Sequence, residues 1–160
     1  MSTLFPLIDG LPGSLSITLR PKVLLDDLAH LKSSGIDTLI SLLEPSEAPS
    51  IGLCDEAGSC SVLGMTFINH PIRDMHLPEP ESFTRFAADV AQRLRNGSHI
   101  ALHCHASIGR SGMLACIVLG YFGYTAQTAL AHVSQRRGVP VPDTEEQAAF
   151  IHHIMQVSQA

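Results

Sequence analysis

The segment from His103 to Gly112, "HCHASIGRSG", combines residue types that bind metal ions with residue types that act as nucleophiles. Metal binding would use His103, Cys104 and His105, whereas nucleophilic catalysis would use the thiolate of Cys104. Adjacent residues of a strand point to opposite faces, so the three side chains cannot converge on one ion. The sequence has no second Cys/His pair with zinc spacing. The segment therefore favours a cysteine nucleophile.

The flanking residues predict that this segment joins a strand to a helix. "SHIALHC" is typical of a short strand, and "SGMLACIVLGYF" of a buried helix. Unpaired amide groups and the dipole at a helix N-terminus bind anions, and they also stabilise a thiolate. Gly109 lets the backbone approach a ligand, and the planar guanidinium of Arg110 matches two phosphate oxygens. The spacing Cys-x5-Arg can thus present Cys104 and Arg110 to one phosphate. A cysteine that is merely buried would leave Gly109, Arg110 and Ser111 unexplained.

Apolar periodicity places this loop within an alternation of strands and helices. Strands are predicted in "SLSITLRP", "IDTLISLL", "MTFINHPI" and "SHIALHC". Helices are predicted in "VLLDDLAHLKSSG" and over residues 81–96, 111–122, 125–137 and 144–156. Residues 44–50 are predicted to form a loop. Residues 51–63 are ambiguous and suit a short helix. The pattern predicts a single α/β domain over residues 1–160, with a central, mostly parallel, twisted sheet of about four to five strands flanked by helices on both faces.

Composition argues against several classes of protein. Hydrophobic residues make up 45% and charged residues 16%, as in folded globular domains. The net charge of -5 provides no global positive field for nucleic acid or for an anionic membrane. The opening "MSTLFPLIDG" lacks the features of a secretory signal, and no run reaches the roughly 20 apolar residues of a membrane span. The four cysteines are therefore expected to be reduced thiols in a cytoplasmic protein.

The motif "HCHASIGRS" matches the signature His-Cys-x5-Arg-Ser/Thr at every defining position. In this respect the chain resembles the cysteine-dependent protein tyrosine phosphatases, specifically the dual-specificity branch, and is most similar to its small bacterial and kinase-associated members. The resemblance extends in element order from about Ile36 to Phe150. It implies a dual-specificity phosphatase-like fold and a metal-independent phosphatase that uses no cofactor. Cys104 would form a cysteinyl-phosphate intermediate, and the phosphate would be bound by the loop residues His105, Ala106, Ser107, Ile108, Gly109 and Arg110.

The same resemblance implies roles for the residues that flank the loop. Ser111 would donate its hydroxyl hydrogen to the sulfur of Cys104 and help the thiolate to leave in the second step. His103 would brace the loop and tune the thiolate, and a packed core histidine is compatible with that role.

Two residues outside the signature complete the expected site. Members of this family carry an aspartate roughly 30 residues before the cysteine, and Asp74 in "PIRDMHLPE" fits it as general acid and later as general base. Gln147 in "VPDTEEQAAFI" resembles a glutamine that positions the hydrolytic water. A second interpretation is open for Gln147, because Thr144 and Gln147 also have the spacing of a helix capping box.

One loop position departs from the family pattern, since Ala106-Ser107 replaces the common Ala-Gly. The Ser107 side chain would either add a hydrogen bond to the site or crowd the rim of the pocket. If the backbone there requires a positive φ, Ser107 carries strain that glycine would not.

The loop also bears on the class of substrate. Phosphoinositide phosphatases of this family usually carry lysines in the loop, and residues 105–109 contain none. This composition favours phosphotyrosine in proteins or peptides as substrate, with phosphoserine and phosphothreonine as further candidates, and phosphate or another oxyanion as ligand of the loop. No nucleic acid or membrane partner is expected. The alternatives are a non-catalytic pseudophosphatase that binds phosphoproteins and a phosphatase of non-protein phosphate esters.

Overall fold

The computed structural model describes residues 3–158. Five strands in this range form one sheet with the order β1-β2-β5-β3-β4. Strand β1 (Leu4–Ile8) pairs antiparallel with β2 (Ser14–Thr18), whereas β2, β5 (His99–His103), β3 (Thr38–Ser41) and β4 (Thr66–Asn69) are parallel. The predicted mostly parallel sheet is confirmed. Sequence analysis missed β1, whose Pro6 interrupts a short apolar run and which occupies the edge of the sheet, where a residue without an N–H is tolerated.

Helices account for most of the remaining described residues. They are α1 (Leu24–Ser33), α2 (Glu56–Val62), α3 (Pro80–Arg95), α4 (Gly109–Gly120), α5 (Ala126–Arg137) and α6 (Glu145–Ser158). The ambiguous segment after residue 51 thus contains the short helix that suited it. Residues 44–50, predicted as a loop, end in a short 3-10 helix over Ala48–Ile51 that has a proline in its first turn.

Each face of the sheet is covered by helices, as predicted. One core joins Ile40, Ile100 and Leu102 of the sheet to apolar residues of α3, α4, α5 and α6. On the opposite face, Leu39 and Ala101 pack with apolar residues of α1 and α2. The alternation between faces follows from the twofold periodicity of strand side chains. Helix α4 is buried from Gly109 to Leu119, which explains its apolar composition.

The parallel strands bring three loops to one edge of the sheet. Ser41 is in register with Asn69 on one side and with His103 on the other, so β3, β4 and β5 end at the same level. The segments that follow these strands therefore meet at the carboxyl edge, where open α/β sheets bind their ligands. They carry Glu47, Asp74 and Cys104.

Candidate active site

Cys104 begins a tight loop between β5 and α4. Strand β5 ends at His103 and α4 begins at Gly109, which confirms the predicted order of strand, loop and helix. The Cys104 side chain is buried, and the half-buried Ile108 packs against the main core. Because the first amide groups of α4 have no carbonyl partner within the helix, they favour an anion in the loop.

Gly109 is a point of close approach between the loop and the side chains of Asp143 and Gln147. A Cβ at this position would collide with the Asp143 carboxylate and would lie 2.9 Å from Oε1 and 3.1 Å from Nε2 of Gln147. Glycine therefore allows the segment before α6 to pack directly against the loop. This packing places Gln147 beside the start of α4.

Ser107 adopts the left-handed conformation, with φ +57. For a residue with a Cβ this conformation costs about 1 kcal/mol, so the predicted strain is present. The side chain is fully buried, and its Oγ donates to the carbonyl of Thr18 at 2.8 Å while it accepts from the Cys104 N–H at 3.4 Å. Ser107 therefore adds hydrogen bonds that tie the loop to β2, and it does not crowd the rim.

Two arginines from distant parts of the chain hold the carbonyl groups of the loop. Arg20 donates from Nη1 to the carbonyl of His105 at 2.7 Å. Arg137, at the end of α5, donates from Nε to the carbonyl of Ser107 and from Nη2 to that of Ala106, both at 3.0 Å. Three successive carbonyls of the loop are thus paired with side chains from outside the loop. Sequence analysis did not connect either arginine with the loop.

The Arg137 guanidinium is itself held in place. It lies 4.5 Å from the centroid of the Phe5 ring, a cation-π contact with the edge strand β1. Burial lowers the pKa of Arg137, although the attraction of Cys104 acts in the opposite direction. The electrostatic field of Arg137 therefore reaches Cys104 as well as the loop carbonyls.

Arg110 is almost completely buried and is surrounded by acceptors. Its Nη1 donates to Glu47 Oε2 and to the carbonyl of Ile72, each at 2.7 Å. Its Nη2 donates to Glu47 Oε1 at 3.0 Å and lies 3.2 Å from Asp74 Oδ1. Burial acts to lower the pKa of Arg110, but the hydrogen bonds to Glu47 and the charges of Cys104, Glu47 and Asp74 raise it overall. Arg110 is thus a fixed cation at the start of α4.

Glu47 is a site residue that sequence analysis missed. It lies in the loop after β3, 63 residues before Arg110, and no local pattern distinguishes it from other loop acids. Burial acts to raise the pKa of Glu47, but hydrogen bonds from Arg110 and from the Glu44 N–H lower it overall. The bidentate pair fixes the plane of the guanidinium.

Asp74, the candidate general acid, lies on the loop between β4 and α3. Its carboxylate contacts Arg110, yet its side chain is 53% exposed. The next residue, Met75, has a positive φ of 63 and is exposed, so the chain turns sharply just after Asp74. Asp74 is therefore close to the signature arginine and open to solvent.

His103 is fully buried below the loop and has two acceptors. Its Nε2 lies 2.6 Å from Glu56 Oε2, and its Nδ1 lies 3.2 Å from the carbonyl of Cys104. Carboxylate and carbonyl oxygens only accept hydrogen bonds, so the ring nitrogen is the donor in whichever of these bonds forms. His103 thus braces the loop, and Glu56 on α2 is a second partner that sequence analysis missed.

Gln147 takes part in the capping box that was one of its two interpretations. Its Oε1 accepts from the Thr144 N–H at 3.2 Å and from the Asp143 N–H at 3.1 Å, while its own N–H donates to Thr144 Oγ1 at 3.0 Å. Its Nε2 is buried without a hydrogen-bond partner in the described part of the chain. The position of the Gln147 amide beside Gly109 leaves the other interpretation, that Gln147 positions the hydrolytic water, open.

Buried donors without partners cluster around the loop. Within residues 3–158, the buried side-chain donor atoms that have no hydrogen-bond partner are Arg110 Nε, Ser111 Oγ and Gln147 Nε2. All three flank the start of α4. Over the same residues Ser111 Oγ makes no hydrogen bond to the Cys104 sulfur, so the bond that the resemblance implied is not formed here. Unpartnered buried donors are unfavourable unless a ligand satisfies them, so this arrangement suits an oxyanion.

The other cysteines differ from Cys104 in their surroundings. Cys60 and Cys116 are buried in apolar cores, and burial raises the pKa of each thiol to about 12. The negative charge of Glu56 contributes to the shift at Cys60. Cys54 is exposed, and no disulfide joins any of the cysteines. Cys104 alone is placed next to Arg110 and a helix N-terminus.

Two wider features of residues 3–158 complete the description. Across this range, the side chains of His, Cys, Asp and Glu form no group of three or more that could hold a metal ion. None of the helices here has the length and apolar character needed to cross a membrane.

Comparison with known sequences identifies relatives of this arrangement. Residues 15–122 match a family model described as "Polymorphic toxin system, DSP-PTPase phosphatase". Cyclin-dependent kinase inhibitor 3 of Rattus norvegicus is 26% identical over 128 residues, which cover 79% of this chain and 60% of the rat protein. Protein tyrosine phosphatase domain-containing protein 1 of Bos taurus is 29% identical over 119 residues, or 69% of this chain and 15% of the bovine protein. The chain thus spans less than two thirds of the length of these relatives.

Solved structures with the same fold are also found. A kinase associated phosphatase in which serine replaces the catalytic site cysteine superposes with a TM-score of 0.84 at 20% identity, covering 92% of this chain and 88% of that one. Tk-PTP in its active form gives a TM-score of 0.79 at 22% identity, with 95% and 97% of the two chains covered. The mixed sheet flanked by helices is therefore the fold of dual-specificity phosphatases.

Proposed function

The chain belongs to the DSP-PTPase phosphatase family of polymorphic toxin systems, and from this premise we propose that it is a metal-independent protein phosphatase with Cys104 as nucleophile. Its substrates are phosphotyrosine residues and, as further candidates, phosphoserine and phosphothreonine residues of proteins. The observation that carries the proposal is the set of unpartnered buried donors at the start of α4, directly after the Cys104 loop, namely Arg110 Nε, Ser111 Oγ and Gln147 Nε2.

Substrate binding begins with the phosphate dianion in the loop. The N–H groups of the loop and the dipole of α4 bind its oxygens, and Arg110 supplies a charged donor. The contact of Asp74 with Arg110 Nη2 is replaced by a phosphate oxygen, which frees the exposed Asp74 carboxyl to face the leaving group. Glu47 keeps the guanidinium in its plane throughout.

In the first chemical step the thiolate of Cys104 attacks phosphorus. A sulfur–phosphorus bond forms as the bond between phosphorus and the leaving oxygen breaks, and Asp74 donates a proton to that oxygen. Negative charge in the transition state lies mainly on the equatorial oxygens, where Arg110 and the loop N–H groups stabilise it.

In the second step water hydrolyses the cysteinyl-phosphate. Asp74 takes a proton from the attacking water, and the free amide group of Gln147 orients that water. The sulfur–phosphorus bond breaks and the electron pair returns to Cys104 as a thiolate, which accepts a hydrogen bond from Ser111. Inorganic phosphate is released.

A protein substrate is favoured over a small phosphate ester. A relative named cyclin-dependent kinase inhibitor 3 and a structural neighbour named kinase associated phosphatase support phosphoproteins as the substrate class. The absence of lysine from residues 105–109 points in the same direction.

Hydrolysis of aryl phosphates in EDTA tests the mechanism. The variants are Cys104→Ser, Asp74→Asn and, as a matched control, Cys54→Ser, which changes an exposed thiol outside the loop. Turnover by the wild type is expected to be lost in Cys104→Ser and retained in Cys54→Ser. In Asp74→Asn the loss is expected to grow with the pKa of the leaving group, because a poor leaving group needs the proton most.

Two results would contradict the proposal. Full activity of Cys104→Ser would show that Cys104 is not the nucleophile. An inactive wild type that still binds vanadate would instead identify a phosphate-binding pseudophosphatase.

A further inference from the structure

A pocket adjoins the loop at His105 and Ala106, on the side where Arg20 donates to the carbonyl of His105. It has a volume of about 210 Å³ and is lined by Leu19, Arg20, Lys22, His105 and Ala106. His105 and Ala106 belong to the loop itself and directly follow Cys104 in the chain. The pocket is therefore a neighbour of the phosphate site and shares a wall with it.

The polar side chains of this pocket are those of three basic residues, Arg20, Lys22 and His105. Arg20 donates from Nη1 to the carbonyl of His105, and Nη1 also lies 3.4 Å from Nδ1 of the same ring. Within residues 3–158, the other two guanidinium nitrogens have no hydrogen-bond partner, and Lys22 forms no ion pair. His105 is exposed and adds a positive charge when it is protonated.

Asp27, an acidic residue at the start of α1, forms no ion pair with these groups in the described structure. Asp27 is buried, and its Oδ2 accepts the backbone N–H groups of Lys22 and Val23 at 2.8 Å and 3.1 Å. Burial acts to raise the pKa of Asp27, but hydrogen bonds, including those from these two amide groups, are among the causes that lower it overall. The Asp27 carboxylate is thus engaged by backbone groups at the start of α1, and the Lys22 ammonium is in no ion pair in the described structure.

We propose that this pocket binds a second anionic side chain of a phosphopeptide substrate, either an acidic residue or a second phosphorylated residue. The inference rests on the proposed function of the loop. An extended peptide advances about 3.3 to 3.6 Å per residue, so a pocket that begins one residue from Cys104 is reached by a side chain within a few positions of the phosphorylated one.

A peptide suits the site better than a charged lipid surface. The pocket is a small concentration of positive charge on a protein whose net charge is -5, and that net charge opposes approach to an anionic bilayer. A single acidic side chain of a peptide needs only the local field of Arg20 and Lys22. The pocket therefore acts as a determinant of substrate specificity.

The test compares wild type with Lys22→Glu and with Arg93→Glu as a matched control. Lys22 lines the pocket but its side chain makes no hydrogen bond to the loop in the described structure, unlike that of Arg20. Arg93 is an exposed basic residue near the end of α3, a helix end that lies beside the N-terminal end of β5, far from Cys104 at its other end. Both variants make the same change in net charge.

Three sets of phosphotyrosine peptides are the substrates. The first has alanine at the flanking positions, the second has a single glutamate scanned through those positions, and the third has a phosphoserine at the best of them. We expect the wild type to prefer the anionic peptides by about tenfold in kcat/KM, a preference that decreases with salt. Lys22→Glu is expected to bring the ratio of anionic to neutral peptide close to one, while Arg93→Glu retains the wild-type ratio.

The outcomes separate this inference from the proposed function. If the wild type hydrolyses an aryl phosphate but shows no preference among the peptides, the pocket assignment is wrong and the phosphatase proposal stands. If the wild type does not hydrolyse the aryl phosphate, the phosphatase proposal itself fails. If Lys22→Glu impairs only the hydrolysis of a soluble polyphosphorylated inositol headgroup, the pocket binds a lipid-type phosphate and the peptide assignment is overturned.

Discussion

The two sides of the Cys104 loop differ in how their polar groups are satisfied. On the outer side, the carbonyls of residues 105–107 all accept hydrogen bonds from Arg20 and Arg137. On the inner side, Arg110 Nε and Ser111 Oγ are buried donors without a partner in the described structure. The outer side thus maintains the shape of the loop, and the inner side has the donors that a phosphate would satisfy. A loop built only for stability would leave no such donors on either side.

Changing Arg110 on the inner side should have a larger effect on the protein than changing Ser107, Arg137 or Glu47. Arg110→Lys keeps the charge but loses the planar pair of donors that faces Glu47. We expect kcat/KM for aryl phosphates to fall by about 10² to 10³-fold, the range found for the loss of a donor to a transition-state oxyanion. Urea unfolding of the same variant measures the accompanying loss of stability. Retention of wild-type kcat/KM would show that the inner donors do not take part in the reaction.

Ser107 connects the two sides, and two substitutions separate its contributions. Ser107→Ala keeps the unfavourable positive φ and loses the hydrogen bond to the buried Thr18 carbonyl, so a loss of about 1 to 3 kcal/mol in the free energy of unfolding is expected. Ser107→Gly loses the same bond but relieves the backbone strain, and it should be less destabilising. Chemical denaturation compares the two variants. The opposite order would mean that the positive φ at residue 107 carries no strain that glycine relieves.

Arg137 tests the outer side alone. Arg137→Lys retains a cation near Phe5 but cannot donate to the carbonyls of Ala106 and Ser107 as a planar fork. The loss of about one hydrogen bond corresponds to roughly 1 kcal/mol, or about fivefold in rate if all of it is expressed in the transition state. We expect this loss in kcat, with KM little changed, because the residue positions the loop and does not touch substrate. A change confined to KM would instead indicate direct contact with the substrate.

The pH dependence of stability is expected to show the smallest effect, through Glu47. Its pKa in the folded protein lies below the ordinary value because Arg110 donates to its carboxylate. The pair therefore stabilises the fold above the unfolded-state pKa of about 4.3, and this contribution is lost as the pH falls through the lower folded-state pKa. In Glu47→Gln the free energy of unfolding should therefore fall less than in the wild type as the pH drops below about 4.5. Parallel acid-unfolding curves for wild type and Glu47→Gln would refute the coupling.

The features that could be predicted from the sequence are those set by residues that are close together in the chain. The strand, loop and helix around Cys104 followed from apolar periodicity and from Gly109. The departure from a known loop pattern at Ser107 predicted strain on the condition that the backbone there has a positive φ, and the structure meets that condition. Strand β1 was missed because its pattern is short and interrupted by Pro6.

Residues that act through long-range contacts were not predictable in the same way. Glu47 and Glu56 are two of many loop and helix acids until the sheet brings them to Arg110 and His103. Gln147 is an intermediate case. Its capping box is local, whereas its contact with Gly109 depends on how α6 packs against α4.

The sequence by itself determined the identity of the candidate nucleophile, the signature arginine and the helix that begins between them, because these depend on neighbouring residues and on backbone preferences. Only the tertiary structure decided which groups satisfy that loop. The Arg110 guanidinium is paired with a carboxylate 63 residues away, and the loop carbonyl of His105 is paired with an arginine 85 residues away. Hydrogen-bond partners at such separations are chosen by the register of the sheet and the packing of helices, which no local pattern contains.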